Sequence, residues 1–147
     1  MPSKRTSGHR GNVYQDEIEQ FFLGLPIGAV VHNQKSVGRR VWTPNGPIFV
    51  SGRNDIFGAF DLVVSIPGKR VKFIQATLHT SPGMKKKPID KLPWNEEHSS
   101  YELWQKIPRK GSRIFVRTMS FDEPWLDLGV IGLKDIKGRV RDYFQIR

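Results

Sequence analysis

Two apolar runs joined by a tight turn constrain this chain more than any other feature. Gly58-Ala59-Phe60-Asp61-Leu62-Val63-Val64 is followed, across Pro67-Gly68, by Phe73-Ile74-Gln75-Ala76-Thr77. A strand with one wet face alternates apolar and polar residues; a strand covered on both faces does not. Phe60, Leu62, Val63, Val64, Phe73 and Ile74 show little alternation. They predict a hairpin of Phe60–Ser65 against Val71–Leu78, turning at Pro67-Gly68, with material packed on both sides. With the turn centred between 67 and 68, Asp61 falls opposite about residue 74. A carboxylate at the head of one buried strand therefore meets the polar end of the other.

The rest of the chain supplies layers to cover such a hairpin. Residues 1–11 read as a flexible basic arm, and 12–147 as one domain. Asn12, with Gln15 three residues on, resembles a capping box. Tyr14, Ile18, Phe21, Phe22 and Leu25 follow as one helical stripe, ended by Gly24 and Pro26. Strands are predicted at Ile27–His32, Arg40–Thr43 and Ile48–Val50, the last two separated by Pro44-Asn45-Gly46-Pro47. Residues 79–93 are rich in Pro, Gly and Lys and read as a loop. Asn95 to Lys106 reads as a second helix burying Tyr101, Leu103 or Trp104, and Ile107. Ser112–Arg117 and Arg141–Ile146 read as strands, with Trp125, Leu126 and Leu128 finishing the core or forming a dimer face. The fold class expected is α/β, a mixed central sheet flanked by helices.

Charge narrows the partners. The chain has 147 residues, with 24 Lys and Arg against 14 Asp and Glu, a formal net charge of +10. Such a field favours a polyanion. No apolar run approaches the roughly 18–20 residues that span a bilayer, and the basic N-terminus lacks the apolar segment of a secretory signal. A cytoplasmic protein with no membrane partner is expected. The absence of cysteine excludes disulfides and thiolate metal sites. His9, His32, His79 and His98 lack zinc-ligand spacing, and no phosphate-binding glycine fingerprint occurs. Arg5, Arg10, Arg39, Arg40, Arg53, Lys86 and Lys87 are candidates for phosphate contacts. Trp42, Trp94 and Trp104 are read as packing residues in preference to base-stacking ones.

The polar residues on the hairpin suit a hard divalent cation. Cleavage of a phosphodiester assisted by Mg²⁺ or Mn²⁺ needs oxygen ligands and a positioned water. Gln75 and Thr77 share one strand face, close to Asp61. Gln75 inside an apolar strand must find a partner, since a buried unsatisfied amide costs about 1–3 kcal/mol. At about 100° per residue, Glu17 lies about 80° from the centre of the helical stripe, the acidic residue best placed to face the sheet.

This arrangement resembles the PD-(D/E)xK nuclease superfamily, in particular its Holliday-junction-resolvase-like members. Those have a helix with a glutamate, a strand opening with Asp and continuing with apolar residues, and a strand ending Glu-x-Lys. Asp61-Leu62-Val63-Val64 matches the second element, and Phe73-Ile74-Gln75-Ala76-Thr77 the third in place, with Gln for Glu and Thr for Lys. Asn54 to Asp61 is similar to a phage and archaeal branch with Gln-x-Thr. The likeness covers residues 12–90. It implies a restriction-endonuclease-like αβββαβ core and a Mg²⁺- or Mn²⁺-dependent DNA endonuclease, structure-specific in the manner of junction resolvases and acting as a homodimer on branched DNA. It assigns catalytic roles to Asp61, Gln75, Thr77 and Glu17, and metal binding to Asp61 and Gln75. Because Gln75 brings no charge, Asp55 is the natural second carboxylate. Because Thr77 brings no cation, Lys85, Lys86 or Lys87 must replace the missing lysine, with Lys85 the first choice. If none does, the alternative is a catalytically degenerate nuclease-like fold that binds DNA or serves assembly.

Overall fold

A computed structural model describes residues 7–34, 37–52, 55–78, 83–93, 97–118 and 124–132, with only the backbone described at 7–10, 37–41 and 49–52. Helix α1 is Ser7–Leu23, and strands β1, β2 and β3 are Val30–Asn33, Val37–Thr43 and Gly46–Gly52. Strands β4 and β5 are Leu62–Ser65 and Val71–Thr77, followed by helix α2, Gly83–Asp90. Strands β6, β7 and β8 are Ser99–Ile107, Gly111–Arg117 and Trp125–Ile131. Six strands form one mixed sheet in the order β1-β4-β5-β6-β7-β8, while β2 and β3 form a separate hairpin. Every neighbouring pair in the large sheet is antiparallel except β5 and β6, whose parallel crossover carries α2. The class is α/β: among the described residues, a mixed six-stranded sheet with two helices.

The expected hairpin sits at the heart of this sheet. Leu62 pairs with Ile74, Val63 with Phe73 and Val64 with Lys72. Continuing that register by one residue places Asp61 opposite Gln75, one position beyond the expected residue 74. The shift matters, because a one-residue change moves a side chain to the other face. At the turn, Gly68 adopts φ +76°, where a Cβ would be strained.

The two faces of the sheet bury different cores. Helix α1 lays its apolar stripe on one face: Tyr14, Ile18, Phe21 and Phe22, with Leu25 just beyond the helix, are buried with Leu62, Val64, Ile74, Trp104, Ile114 and Val116. Phe21 and Phe22 meet the Trp104 indole at centroid distances of 5.8 and 5.5 Å. Burial of about five such side chains holds a helix of moderate propensity that would be marginal alone. The Tyr14 hydroxyl shares a 2.6 Å hydrogen bond with Ser112 Oγ, tying the helix to β7. The helix begins at Ser7, so residues 7–11, expected in the arm, belong to it, and Asn12 is not its cap. On the opposite face, Ala59, Phe60, Ile89 and Tyr101 form a smaller core under α2, with Phe73 and Trp125 packed against it.

Two expectations fail between residues 79 and 107. The stretch read as a second helix contains β6, and the stretch read as a loop contains α2. Ser100 to Gln105 are all buried, because β6 lies between β5 and β7 with a layer on each face. A strand buried on both faces has no period of two, and its apolar positions then mimic helical spacing. The first predicted strand also shifts, from Ile27–His32 to Val30–Asn33. The closing strand predicted at 141–146 lies outside the described residues.

Between α1 and the sheet lies an ion pair that sequence reading missed. Lys72 Nζ donates to Glu102 Oε2 at 2.8 Å, with side-chain exposures of 2% and 0%. Glu102 also accepts from Ser100 Oγ at 3.1 Å and from Trp104 Nε1 at 3.0 Å. Three donors thus replace the water that the carboxylate gave up. Removing one member leaves a buried charge unpaired, which costs about 3–5 kcal/mol. Lys72→Met is therefore expected to lower unfolding free energy by that amount in urea melts. A loss below about 1 kcal/mol would show that the pair is solvated in the folded chain.

Candidate active site

Asp61 is fixed on both its backbone and its carboxylate. Its N–H donates to the Ile74 carbonyl at 2.9 Å, and its own carbonyl accepts from the Gln34 N–H at 2.8 Å. Oδ2 accepts from the Ala76 N–H at 3.0 Å and from Gln75 Nε2 at 2.9 Å. The same Gln75 amide nitrogen donates to the Ala76 carbonyl at 3.0 Å. Asp61 and Gln75 are each only 6% exposed. Alternation along β5 puts Ile74 toward α1 and Gln75 on the opposite face, with Phe73 and Thr77. The site thus lies on the α2 side of the sheet.

Three groups converge there. The Asp55 carboxyl hydrogen-bonds that of Asp61, and the Lys85 ammonium on α2 acts on Asp61 electrostatically. Burial is the main force on the Asp61 carboxyl and pushes it up to about 7. The Ala76 N–H and Lys85 pull it down; the Asp55 charge and hydrogen bond push it further up. Two carboxyl groups this close cannot both ionise cheaply, which adds to the burial that keeps the Asp61 carboxyl protonated toward neutrality. The set offers two carboxyl groups and one amide, all hard oxygen donors suited to Mg²⁺ or Mn²⁺. Gln75 now uses its amide nitrogen toward Asp61 and Ala76, and its oxygen is the atom that would face a cation. Among the described residues, no group of three or more His, Cys, Asp or Glu is placed to hold a metal. A cation site here therefore depends on the glutamine as third donor.

Asp55 and Lys85, chosen to supply the missing charges, are both neighbours of Asp61. Thr77 is buried on the same face, in register with Gln105 of β6, which is 5% exposed. Gln105 carries no signal in the sequence, because its buried segment mimics helical spacing; on strand β6 it shares the polar row of Thr77. Glu17 does not join the site. It stands on α1, across the sheet from Asp61, and pairs with Lys106 at 3.3 Å. Its angle on the helix placed it beside the sheet without saying which face of the sheet it meets. Lys86 Nζ lies 4.3 Å from the Phe115 ring centroid and 5.6 Å from that of Trp125, with burial pulling the ammonium down. Its charge is engaged with aromatic faces. Lys87 is exposed. Arg5 and Arg53 lie outside the described residues, and Arg10, Arg39 and Arg40 are described by backbone alone, in α1 and β2. Trp104 packs as expected, Trp94 lies outside the described residues, and Trp42, expected to pack, is 75% exposed on β2.

The loop carrying Asp55 is held by its own backbone. Ile56 and Phe60 form an antiparallel bridge, and the Ala59 N–H donates to the Ile56 carbonyl at 3.1 Å. The two residues between, Phe57 and Gly58, have φ of +55° and +69°. Positive φ at both central positions is the mark of a type I′ turn, which favours Asn-Gly. A phenylalanine there costs about 1–2 kcal/mol.

Comparison with protein-family models, with curated proteins and with solved structures finds no match for this chain. Among the described residues, no helix is long and apolar enough to cross a membrane.

The perturbed carboxyl gives the site a measurable signature. The folded chain keeps a proton on Asp61 up to about pH 7, while an unfolded carboxyl releases it near 3.8. Folding stability is therefore lost as pH rises between those values. Asp61→Asn should abolish that fall and gain about 2–4 kcal/mol over the native chain at pH 8. Urea melts at pH 5 and pH 8 check this; equal pH dependence in both proteins would contradict it.

Proposed function

We propose that this chain is a divalent-metal-dependent endonuclease acting on DNA, with a restriction-endonuclease-like core. The observation that carries the reading is the meeting of Asp55, Asp61, Gln75 and Lys85 on one face of β4 and β5. Asp61 and Asp55 would hold Mg²⁺ or Mn²⁺ with their charges, and Gln75 through its amide oxygen. The bound ion supplies Lewis acidity and a more acidic water. Lys85 takes the place of the lysine that Thr77 replaces and faces the developing charge on phosphate. Thr77 and Gln105 border the site with polar groups. The net charge of +10 attracts the backbone of nucleic acid, with affinity that falls as salt rises. Cleavage of four-way junctions, and the two-fold dimer that paired cuts require, follow from the likeness to junction resolvases.

A second reading has its own support. Gln75 donates to Asp61 through its amide nitrogen, so the Asp61 carboxyl is satisfied by the protein itself. A nuclease-like fold that binds DNA without cutting would keep that arrangement.

Incubation with linear, nicked, flap and four-way-junction DNA in Mg²⁺ or Mn²⁺ separates the two. The native chain should cleave at least one substrate, and Asp61→Ala should be about a hundredfold slower or more. Lys85→Ala should lower the rate while leaving DNA affinity within about twofold. At limiting metal, cleavage should rise through about pH 7, as the Asp61 carboxyl ionises. Equal binding without cleavage by native chain and Asp61→Ala would reject the nuclease and favour the binding module.

A further inference from the structure

Phe57 occupies a position that neither folding nor the candidate chemistry explains. Its ring is 66% exposed, two residues beyond Asp55 and four before Asp61. Its backbone is left-handed, at φ +55°, in a turn where glycine or asparagine fits without strain. Strain of this kind persists where surroundings impose it, and it collects at ligand clamps. The surroundings here fix the ring. Ile56 and Phe60 close the loop beneath it by their bridge. Phe57 also meets Phe73 at a centroid distance of 5.7 Å, and Phe73 packs in turn on Phe60 and Tyr101 at 5.6 and 5.7 Å. The remainder of the ring is open to solvent, in the turn that follows Asp55 and leads into Asp61. By contrast, Trp42, also exposed, sits in a hairpin strand without such strain.

We propose that Phe57 is a stacking platform for one unpaired base of DNA, beside the phosphodiester held at Asp55 and Asp61. An inference about substrate class, it rests on the nuclease reading above. A base inside a duplex has both faces covered by its neighbours and offers none to a protein ring. A base that is single-stranded, or displaced at a flap or junction, offers a free π-face, and aromatic side chains bind such faces with little regard to sequence. A platform in the turn between Asp55 and Asp61 favours nucleic acid that is already open where it meets the site. Phe57 would position the substrate and take no part in bond breaking.

Affinity for a single-stranded oligonucleotide and for the matching fully paired duplex, measured by fluorescence anisotropy in EDTA, tests this without cleavage. Phe57→Gly removes the ring and relieves the left-handed backbone, and thermal melting verifies that the variant folds. Phe57→Asn, the residue such turns favour, carries the same expectation. Both should weaken single-strand binding about tenfold, the scale of one lost base stack, with duplex binding changed less than twofold. Phe57→Trp should keep native single-strand affinity. Equal weakening toward both DNAs, or no weakening toward either, would overturn the platform while leaving the nuclease reading intact. A native chain that binds neither DNA would overturn the nuclease reading and the platform with it.

Discussion

One negative charge, on a carboxyl that is 6% exposed at the head of a buried strand, sets the terms for the candidate site. Asp61 is costly to ionise where it stands, and Asp55 beside it raises the cost. The neighbouring strand answers with two donors, the Ala76 N–H and the Gln75 amide. These bind the carboxyl in place without removing the cost of its charge. A cation would. That is why the same constellation serves either as a strand junction with Asp61 protonated or as a seat for a hard metal ion, and why pH separates the two states.

The sheet divides its labour between faces. The face under α1 holds most of the apolar core and the buried Lys72–Glu102 pair, whose charges are satisfied by Ser100, Trp104 and one another. The face under α2 holds a smaller core, leaving room at one end for Asp61, Gln75, Thr77 and Gln105. Helix α2 matters twice: Ile89 packs it down, and Lys85 brings a cation to the carboxylates. The parallel step from β5 to β6 requires a crossover, and the crossover delivers that lysine.

What could be read from residues alone follows how local each signal is. The α1 stripe and the β4–β5 hairpin rest on spacing and on a Pro-Gly turn, and both were legible. So was the pairing of Asp61 with Gln75, to within one residue of register. Asp55 and Lys85 were reachable by charge bookkeeping, because a neutral glutamine and threonine leave a deficit that nearby residues must fill. Strand β6 was hidden, since burial on both faces erases alternation. Helix α2 was hidden by its short length, by Pro88 and by its lysines. Glu17 was misplaced because helical angle fixes a side chain relative to its own helix, while the partner face is a matter of topology. The Lys72–Glu102 pair joins residues thirty apart in sequence and left only a lysine within an apolar run as its trace.

Calorimetric titration of the native chain with Mn²⁺ at pH 7, repeated in two buffers of different ionisation enthalpy, tests the central claim most directly. If Asp61, Asp55 and Gln75 form a cation seat, one ion binds and releases part of a proton, because the raised Asp61 carboxyl still holds some of its proton at that pH. Asp61→Asn should then bind at least about tenfold more weakly, with no proton released. Absence of Mn²⁺ binding by the native chain, or equal affinity and proton release in Asp61→Asn, would contradict the account.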